Sequence, residues 1–174
     1  MNLKGGVAKT TSADNMAYIL SKRGYKILLI DNDKQGDLSR GFKRRTTNGD
    51  GINCIMTEEK PDMQQLIKHT DYENLDIITA NLTLLNANRE VEMDNFRPRH
   101  DRIKKALDMV QNQYDFALID CPPDINIGVI NALSASNDVL VPVEIDDNTT
   151  EGMEELLQQI GKIQTHLNPE LKTV

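Results

Sequence analysis

Four short apolar segments along the chain have the pattern of buried parallel strands. They lie at residues 26–30, 75–79, 116–119 and 139–143. None of them alternates between apolar and polar positions, as a strand with one solvent-facing side would. The four segments therefore predict a sheet that is covered on both faces.

Between these segments, apolar residues recur at steps of three and four, which is the spacing of one helix face. The clearest sets are Ala13, Met16, Ala17 and Leu20; Ile103, Ala106, Leu107 and Val110; and Met153, Leu156, Leu157, Ile160 and Ile163. Alternating strands and helices imply right-handed crossovers. We therefore expect an α/β fold with a mostly parallel β-sheet and helices on both faces, in three layers.

The composition is typical of a globular protein, and we expect a single domain over residues 1–174. Hydrophobic residues make up 39% of the chain, enough for a core. No run of about 18 apolar residues and no signal-peptide pattern is present, which predicts a cytoplasmic protein without membrane contact. Cys54 and Cys121 lack the spacing of a metal site or disulfide framework. The net charge of -7 means that any DNA contact would need a local basic patch.

Residues 3–11, LKGGVAKTT, stand directly before the first predicted helix, where backbone N–H groups favour a phosphate. The pattern GxxxxGK[ST] fails at both glycines, because Leu3 and Ala8 occupy those positions, although Lys9 and Thr10 fit. The variant KGGxxK[ST] is complete and begins at Lys4. A glycine pair alone would indicate a simple turn, but the two lysines and the following helix favour a phosphate-binding loop.

The run KGGVAKTT resembles the deviant Walker A motif of the ParA/MinD family of P-loop ATPases. The resemblance implies ATP and Mg²⁺ as cofactors and a P-loop NTPase-like fold. Lys9 should bridge the β- and γ-phosphates, Thr10 should bind Mg²⁺ and Thr11 should face the α-phosphate. The other residues expected in the phosphate cradle are Lys4, Gly5, Gly6, Val7 and Ala8.

Two positions of this loop carry further expectations. The family most often has glycine where this chain has Ala8. Alanine is harmless there in helical dihedrals, whereas a left-handed conformation would cost about 1–2 kcal/mol. By resemblance, Lys4 reaches across a two-fold interface to the other subunit's ATP, which would give it a catalytic role beside Lys9. The alternative is a loop lysine that contacts its own subunit's phosphates.

Residues 31–37, DNDKQGD, follow the first predicted strand, at the sheet edge where α/β proteins bind ligands. They resemble the DxDPQGN switch segment of ParA-type ATPases, with Lys34 and Asp37 as departures. The resemblance implies that Asp33 positions the attacking water as a catalytic residue and lies among the Mg²⁺ ligands, while Asp31 supports the metal shell. The alternative is an aspartate-rich turn that ends a strand.

Residues 114–123, YDFALIDCPP, predict a buried strand that ends in an acid, as in a Walker B motif. Asp120 can hold Mg²⁺ through a water, because magnesium takes few direct protein ligands. The DCPP ending resembles the same family. Cys121 is expected to pack in the core, since a cluster-binding role like that of the nitrogenase iron protein would need a second suitably placed cysteine.

The resemblance covers most of the chain, including residues 131–143 and Gly152, and it implies partitioning of chromosomal or plasmid DNA. The implied partners are a second subunit in the ATP-bound state, a ParB-like activator and non-specific DNA, with nucleoid association if the DNA role holds. Two stretches could form the basic patch, although such stretches are more often solvated surface. They are residues 97–105 and the set Arg40, Lys43, Arg44 and Arg45. The alternatives are a MinD-like cell-division ATPase at the membrane and a non-hydrolysing interaction module.

The two ends of the chain depart from the family pattern. Only three residues precede Lys4, where the family has a central buried strand, and residues 171–174 resemble the start of a further strand. We therefore expect the domain to lack its first strand and its C-terminal portion. Losing four buried aliphatic residues would remove roughly 6–12 kcal/mol, so full ATPase activity is not expected of this chain alone.

Overall fold

The computed structural model describes residue 6, residues 8–143 and residues 149–174, with the backbone alone at residues 149–152. The helices of this described part are α1 (Lys9–Lys22), α2 (Asp37–Gly41), α3 (Ile52–Thr57), α4 (Met63–Leu66), α5 (Thr83–Met93), α6 (Arg102–Asp108), α7 (Ile127–Ala135) and α8 (Thr149–His166). The strands are β1 (Ile27–Asp31), β2 (Ile67–His69), β3 (Leu75–Ile78), β4 (Phe116–Asp120), β5 (Asp138–Val139) and β6 (Lys172–Thr173).

A four-stranded sheet in the order β2-β3-β1-β4 forms the centre of the fold. Strand β1 is parallel to both of its neighbours, and only the pairing of β2 with β3 is antiparallel. Strands β5 and β6 form a separate parallel pair. The register of β1 with β4 places Asp31 directly opposite Asp120. The carboxyl ends of the two strands therefore bring both predicted acidic motifs to one edge of the sheet.

Helices cover both faces of this sheet, as predicted for a three-layer α/β fold. All five residues of β1 are buried. Leu28 and Ile30 pack on one face with side chains of α3, α5, α6 and α7. Ile27 and Leu29 pack on the other face with side chains of α1 and α2. A strand with apolar neighbours on both sides needs a continuous apolar run, which is why β1 does not alternate.

A third apolar cluster joins α7 and α8 to the second sheet. Its buried side chains include Val129 of α7, Val139 of β5 and Leu156 and Ile160 of α8. Helix α8 shows the predicted three- and four-residue spacing, and Met153, Leu156, Ile160 and Ile163 face this cluster. The predicted apolar position Leu157 is instead 46% exposed. None of the described helices is long and apolar enough to cross a membrane.

Two predicted strands differ from the structure. Strand β4 is not fully buried, and Phe116 is 44% exposed, because β4 is the last strand on its side of the described four-stranded sheet. The segment 139–143 is strand only at Val139, with Leu140 and Val143 exposed. Both predictions of complete burial were wrong, since burial depends on which elements lie alongside a strand. The structure also contains β2 and helices α2–α5 and α7, which periodicity did not predict.

Candidate nucleotide-binding site

The phosphate-binding loop predicted from the sequence ends where α1 begins. Gly6 has φ 83°, a conformation that favours glycine, and Ala8 is left-handed at φ 58° and ψ 27°. The departure from the family's glycine at Ala8 is therefore a strained one, costing about 1–2 kcal/mol. Helix α1 starts at Lys9, and its first-turn N–H groups receive no side-chain cap from Ala8. The predicted loop residues Lys4, Gly5 and Val7 lie outside the described residues.

Side chains from three predicted motifs meet at the start of α1. The Thr10 hydroxyl donates to the carboxylate of Asp120, a residue only 4% exposed. Burial raises the pKa of Asp120 to about 6; the charges of Asp31 and Asp33 also raise it, while the bond from Thr10 and the charge of Lys9 lower it. Burial lowers the pKa of Lys9, and attraction to Asp120 and Asp33 opposes this shift. The site therefore holds buried acids whose charges one lysine does not fully balance, an environment that favours a bound cation.

The Asp31 carboxylate uses both oxygens to hold the switch segment. Its Oδ1 accepts the backbone N–H of Asp33 at 3.1 Å, and its Oδ2 accepts the backbone N–H and the hydroxyl of Ser39 at 2.8 and 2.6 Å. The side chain is fully buried, and burial raises its pKa while these bonds lower it. Asp31 therefore positions the segment that carries Asp33.

The switch segment turns tightly between Asp33 and α2. The Asp33 Oδ1 accepts the backbone N–H of Gln35 at 2.9 Å, and Gly36 is left-handed at φ 63°. A Cβ on Gly36 would lie 2.6 Å from the carbonyl oxygen of Ala80, which follows β3. Glycine at position 36 thus has a steric reason as well as a conformational one.

Comparison with known proteins agrees with this arrangement. A protein-family model described as an AAA domain matches residues 1–173. The chain belongs to this family, as a ParA/Soj-type P-loop ATPase. It is 38% identical over 173 residues to the chromosome-partitioning ATPase Soj of Treponema pallidum, covering 98% of this chain and 66% of that protein. It is 35% identical over 178 residues to the chromosome partitioning protein ParA of Caulobacter vibrioides, covering 98% and 64%. The chain thus spans slightly less than two thirds of these relatives.

The fold of this ParA/Soj-type chain is also similar to that of a solved structure. Cobyrinic acid a,c-diamide synthase from Mycobacterium smegmatis, with bound ATP analog and magnesium, superposes with a TM-score of 0.92 and 29% identity. The match covers 99% of this chain and 70% of that protein. The predicted family and the P-loop NTPase-like fold are both confirmed.

Asn32 and Asn88 are polar residues beside the switch segment of this ParA/Soj-type chain, and the sequence patterns did not assign them to the site. Asn32 is 3% exposed and donates through Nδ2 to the carbonyl oxygen of Gly128 at 3.0 Å. The Oδ1 atoms of Asn32 and Asn88 are buried without a hydrogen-bond partner in the described part of the chain. They border a cleft that also contains Asp33. Asn32 was visible within the DND run, but no local pattern pointed to Asn88.

The two basic stretches are largely neutralised by carboxylates of the chain itself. Ion pairs join Arg40 to Asp37, Arg44 to Asp71, Arg97 and Arg102 to Asp94, Lys104 to Asp108, and Lys105 to Asp101. Charges that are already paired attract a phosphate backbone less strongly. Within the described part of the chain, Lys43 and Arg45 of the first stretch carry no ion pair.

Proposed function

We propose that this chain is the nucleotide-binding part of a partitioning ATPase, which binds ATP with Mg²⁺, hydrolyses ATP to ADP and phosphate, and acts in the segregation of chromosomal or plasmid DNA. The contact of Thr10 with Asp120, beside Lys9 at the start of α1, carries this proposal. The relatives named as chromosome-partitioning proteins support the cellular role.

The residues present fit a Mg²⁺-bound nucleotide. Gly6 supplies a left-handed turn before α1, and the N–H groups at the start of α1 suit a phosphate. Lys9 would contact the β- and γ-phosphates, Thr10 would bind the cation directly, and Asp120 would hold it through a water. The cation would supply positive charge to the phosphates and to the buried carboxylates.

Calorimetric titration of this chain with ATP and Mg²⁺ tests the binding. The unaltered chain should bind, and Lys9→Ala should weaken binding by roughly tenfold to a hundredfold, the equivalent of a charge-assisted hydrogen bond of about 1.5–3 kcal/mol. Lys162→Ala, an exposed lysine on α8, is the matched control and should bind normally. Equal affinities of the Lys9 and Lys162 variants, or a folded chain that does not bind, would contradict the proposal.

For hydrolysis, we propose that Asp33 positions the attacking water. Asp33→Ala in the protein with its full family length should keep ATP binding and lose most steady-state turnover, because positioning matters only for the chemical step. Asp37→Ala, on the exposed side of α2, should keep both properties. An unchanged rate in the Asp33 variant would exclude this role.

We further propose that ATP joins two subunits through Lys4. Two reciprocal charge-assisted contacts of about 1.5–3 kcal/mol each would give roughly 3–6 kcal/mol of nucleotide-dependent association. In a full-length Asp33→Ala background, where ATP persists, Lys4→Ala should bind ATP and sediment as a monomer. A dimer as tight as that of the Lys4-containing control would favour the alternative, in which Lys4 contacts its own subunit's phosphates.

The remaining proposed partners are a ParB-like activator protein and non-specific DNA. Because the chain carries a net charge of -7, DNA contact requires a local patch, and Lys43 and Arg45 are candidates within the described residues. Replacing both with alanine should weaken the ATP-dependent gel shift of a random DNA duplex by the full-length protein and reduce its salt dependence. A gel shift unaffected by the double change would exclude this patch.

A further inference from the structure

A cleft of about 190 Å³ lies between the switch segment, α5 and the segment that joins β4 to α7, and we call it the amide cleft. Three asparagines line it together with Asp33: Asn32, Asn88 and Asn126. One water needs about 10–15 Å³ of such space, so the amide cleft has room for several waters. The residue that we propose to position the attacking water therefore borders a space that water can enter.

Asn32 borders the amide cleft with a buried oxygen. The side chain is 3% exposed, and its Nδ2 donates to the Gly128 carbonyl oxygen at 3.0 Å. This bond sets the orientation of the amide, because only the nitrogen end can donate. The Oδ1 atom accepts no hydrogen bond within the described part of the chain. A buried acceptor without a donor destabilises a fold, so this oxygen calls for a partner.

Asn88 supplies a second oxygen of this kind from α5. It follows the buried Leu84 by four residues and precedes the buried Val91 by three, so it lies on the face of α5 that packs against the core. Its Oδ1 is buried and has no hydrogen-bond partner among the described residues. Asn88 therefore places an acceptor on a helix face where the spacing favours an apolar side chain.

The three amides converge on Gly128, in the first turn of α7. A Cβ at that position would lie 3.0 Å from Asn126 Oδ1, 3.2 Å from Asn32 Oδ1 and 3.3 Å from Asn88 Nδ2. Asn126 Oδ1 already accepts the backbone N–H of Val129 at 3.1 Å. The absence of a side chain at Gly128 thus lets amides from three elements approach each other, and two of their oxygens remain without a donor.

The charged groups of the amide cleft do not favour an ion of either sign. Three acids and two bases line it: Asp33, Glu92, Asp124, Lys34 and Arg89. Lys34 and Arg89 donate to neither of the two asparagine oxygens. Both oxygens need a donor, and surroundings of nearly balanced charge suit a neutral donor better than a cation. Water is such a donor, and buried waters typically bind polar groups that are otherwise unpaired.

We propose that the amide cleft holds the water used in ATP hydrolysis, and that Asn32 Oδ1 and Asn88 Oδ1 accept hydrogen bonds from the waters in it. The inference rests on the proposed ATPase function and adds two positioning residues to it. A water whose hydrogens are held by acceptors keeps a lone pair free for attack. Asn32 and Asn88 thus orient the water that Asp33 places for the reaction.

The reaction that this water enters is a phosphoryl transfer. The water oxygen forms a bond to the γ-phosphorus, and the bond from that phosphorus to the oxygen shared with the β-phosphate breaks, leaving its electron pair on ADP. Both hydrogens of the water remain on the released dihydrogen phosphate. The four negative charges of ATP become three on ADP and one on this phosphate.

Single-turnover hydrolysis by the full-length protein tests the role of Asn88 in the chemical step. Asn88→Leu removes the acceptor and should lower the rate about threefold to tenfold, the effect of one neutral hydrogen bond, with unchanged ATP affinity. Asn53→Leu is the matched control, because Asn53 Oδ1 is also buried without a partner in the described part of the chain but lies on α3, outside the amide cleft. It should hydrolyse ATP like the parent. Equal rates in the Asn88 and Asn53 variants would overturn the proposal.

A conservative change separates the acceptor from packing. Asn88→Asp keeps an oxygen at the position of Oδ1 and loses only the Nδ2 donor. It should hydrolyse ATP nearly as fast as the parent, because the waters need an acceptor there. A loss as large as that of Asn88→Leu would show that the amide acts through its shape or its N–H groups, which contradicts the proposal.

A high-resolution crystal structure of this chain without nucleotide tests the water site independently of hydrolysis. Ordered waters should lie within hydrogen-bond distance of Asn32 Oδ1 and Asn88 Oδ1. Oxygens without water, or oxygens bound by Lys34 or Arg89, would overturn the proposal. A full-length protein that hydrolyses no ATP would contradict the proposed function and the use of this water with it. An active protein whose Asn88→Leu variant is unimpaired would contradict this inference alone.

Discussion

The Ser39 hydroxyl lies 2.6 Å from Oδ2 of Asp31 and accepts the backbone N–H of Ala80 at 2.9 Å. One hydroxyl thereby connects the end of β1, the first turn of α2 and Ala80, the second residue after β3. All three groups are buried. The switch segment is consequently tied to the sheet at a point remote in sequence from the phosphate-binding loop.

Ser39→Ala should lower the free energy of unfolding by about 1.5–3 kcal/mol, because it removes a hydrogen bond to a buried carboxylate and leaves Ala80 N–H unpaired. Urea unfolding monitored by circular dichroism measures this. Ser134 is the matched control, since its buried hydroxyl has no hydrogen-bond partner among the described residues. Ser134→Ala removes no hydrogen bond within the described part of the chain, so it should leave the free energy of unfolding unchanged or raise it. Equal losses at both serines would remove Ser39 from this connecting role.

Gly36→Ala should destabilise the fold more than Gly24→Ala. Both glycines have positive φ, at 63° and 91°, so each substitution incurs a conformational cost of about 1–2 kcal/mol. Only at Gly36 would the new Cβ also meet a backbone atom, the Ala80 oxygen at 2.6 Å, whereas nothing lies within 4 Å at Gly24. Thermal unfolding of the two variants side by side gives the comparison. A Gly24 variant as unstable as the Gly36 variant would show that the close approach is relieved at no cost.

The elements that the sequence predicted well are those whose surroundings are uniform. Strand β1 is apolar throughout because both of its faces are covered, and α1 repeats its apolar positions over 14 residues. The exposure of Phe116 could not be predicted, because it depends on which strands flank β4. In the candidate site, short patterns were enough to propose Lys9, Asp33 and Asp120 as functional residues. The partnership of Asn32 with Gly128 spans 96 positions and has no local signature.

Ala8→Gly should raise the free energy of unfolding by about 1 kcal/mol, with 2 kcal/mol as an upper value. The left-handed conformation at φ 58° is strained for alanine and free of strain for glycine. Denaturant unfolding of the nucleotide-free chain is the measurement. Ala13→Gly, inside α1, should instead destabilise by about 0.5–1 kcal/mol. A loss of stability in the Ala8 variant would show that the strain is relieved in solution.

The pKa of Asp120 makes stability depend on pH in a defined direction. Burial raises this pKa from 3.8 to about 6 in the folded chain, so the folded state holds the proton more tightly than the unfolded state. The Asp120 carboxyl contributes to the free energy of unfolding below about pH 4, and this contribution is lost as the pH rises to about 6. A shift of roughly two units corresponds to about 3 kcal/mol.

Asp120→Asn should therefore make the chain more stable than the parent at pH 7 without Mg²⁺ or nucleotide, by up to about 3 kcal/mol, since the amide carries no charge that burial penalises. The two unfolding curves should converge near pH 4, where the parent carboxyl is protonated. Urea unfolding at half-unit pH steps measures the difference. Asp37→Asn, on the exposed side of α2, should follow the parent across the range. If Asp120→Asn instead keeps the parent's pH dependence between 4 and 6, the buried carboxylate is ionised at no cost, and the environment favouring a cation at Asp120 is not present in solution.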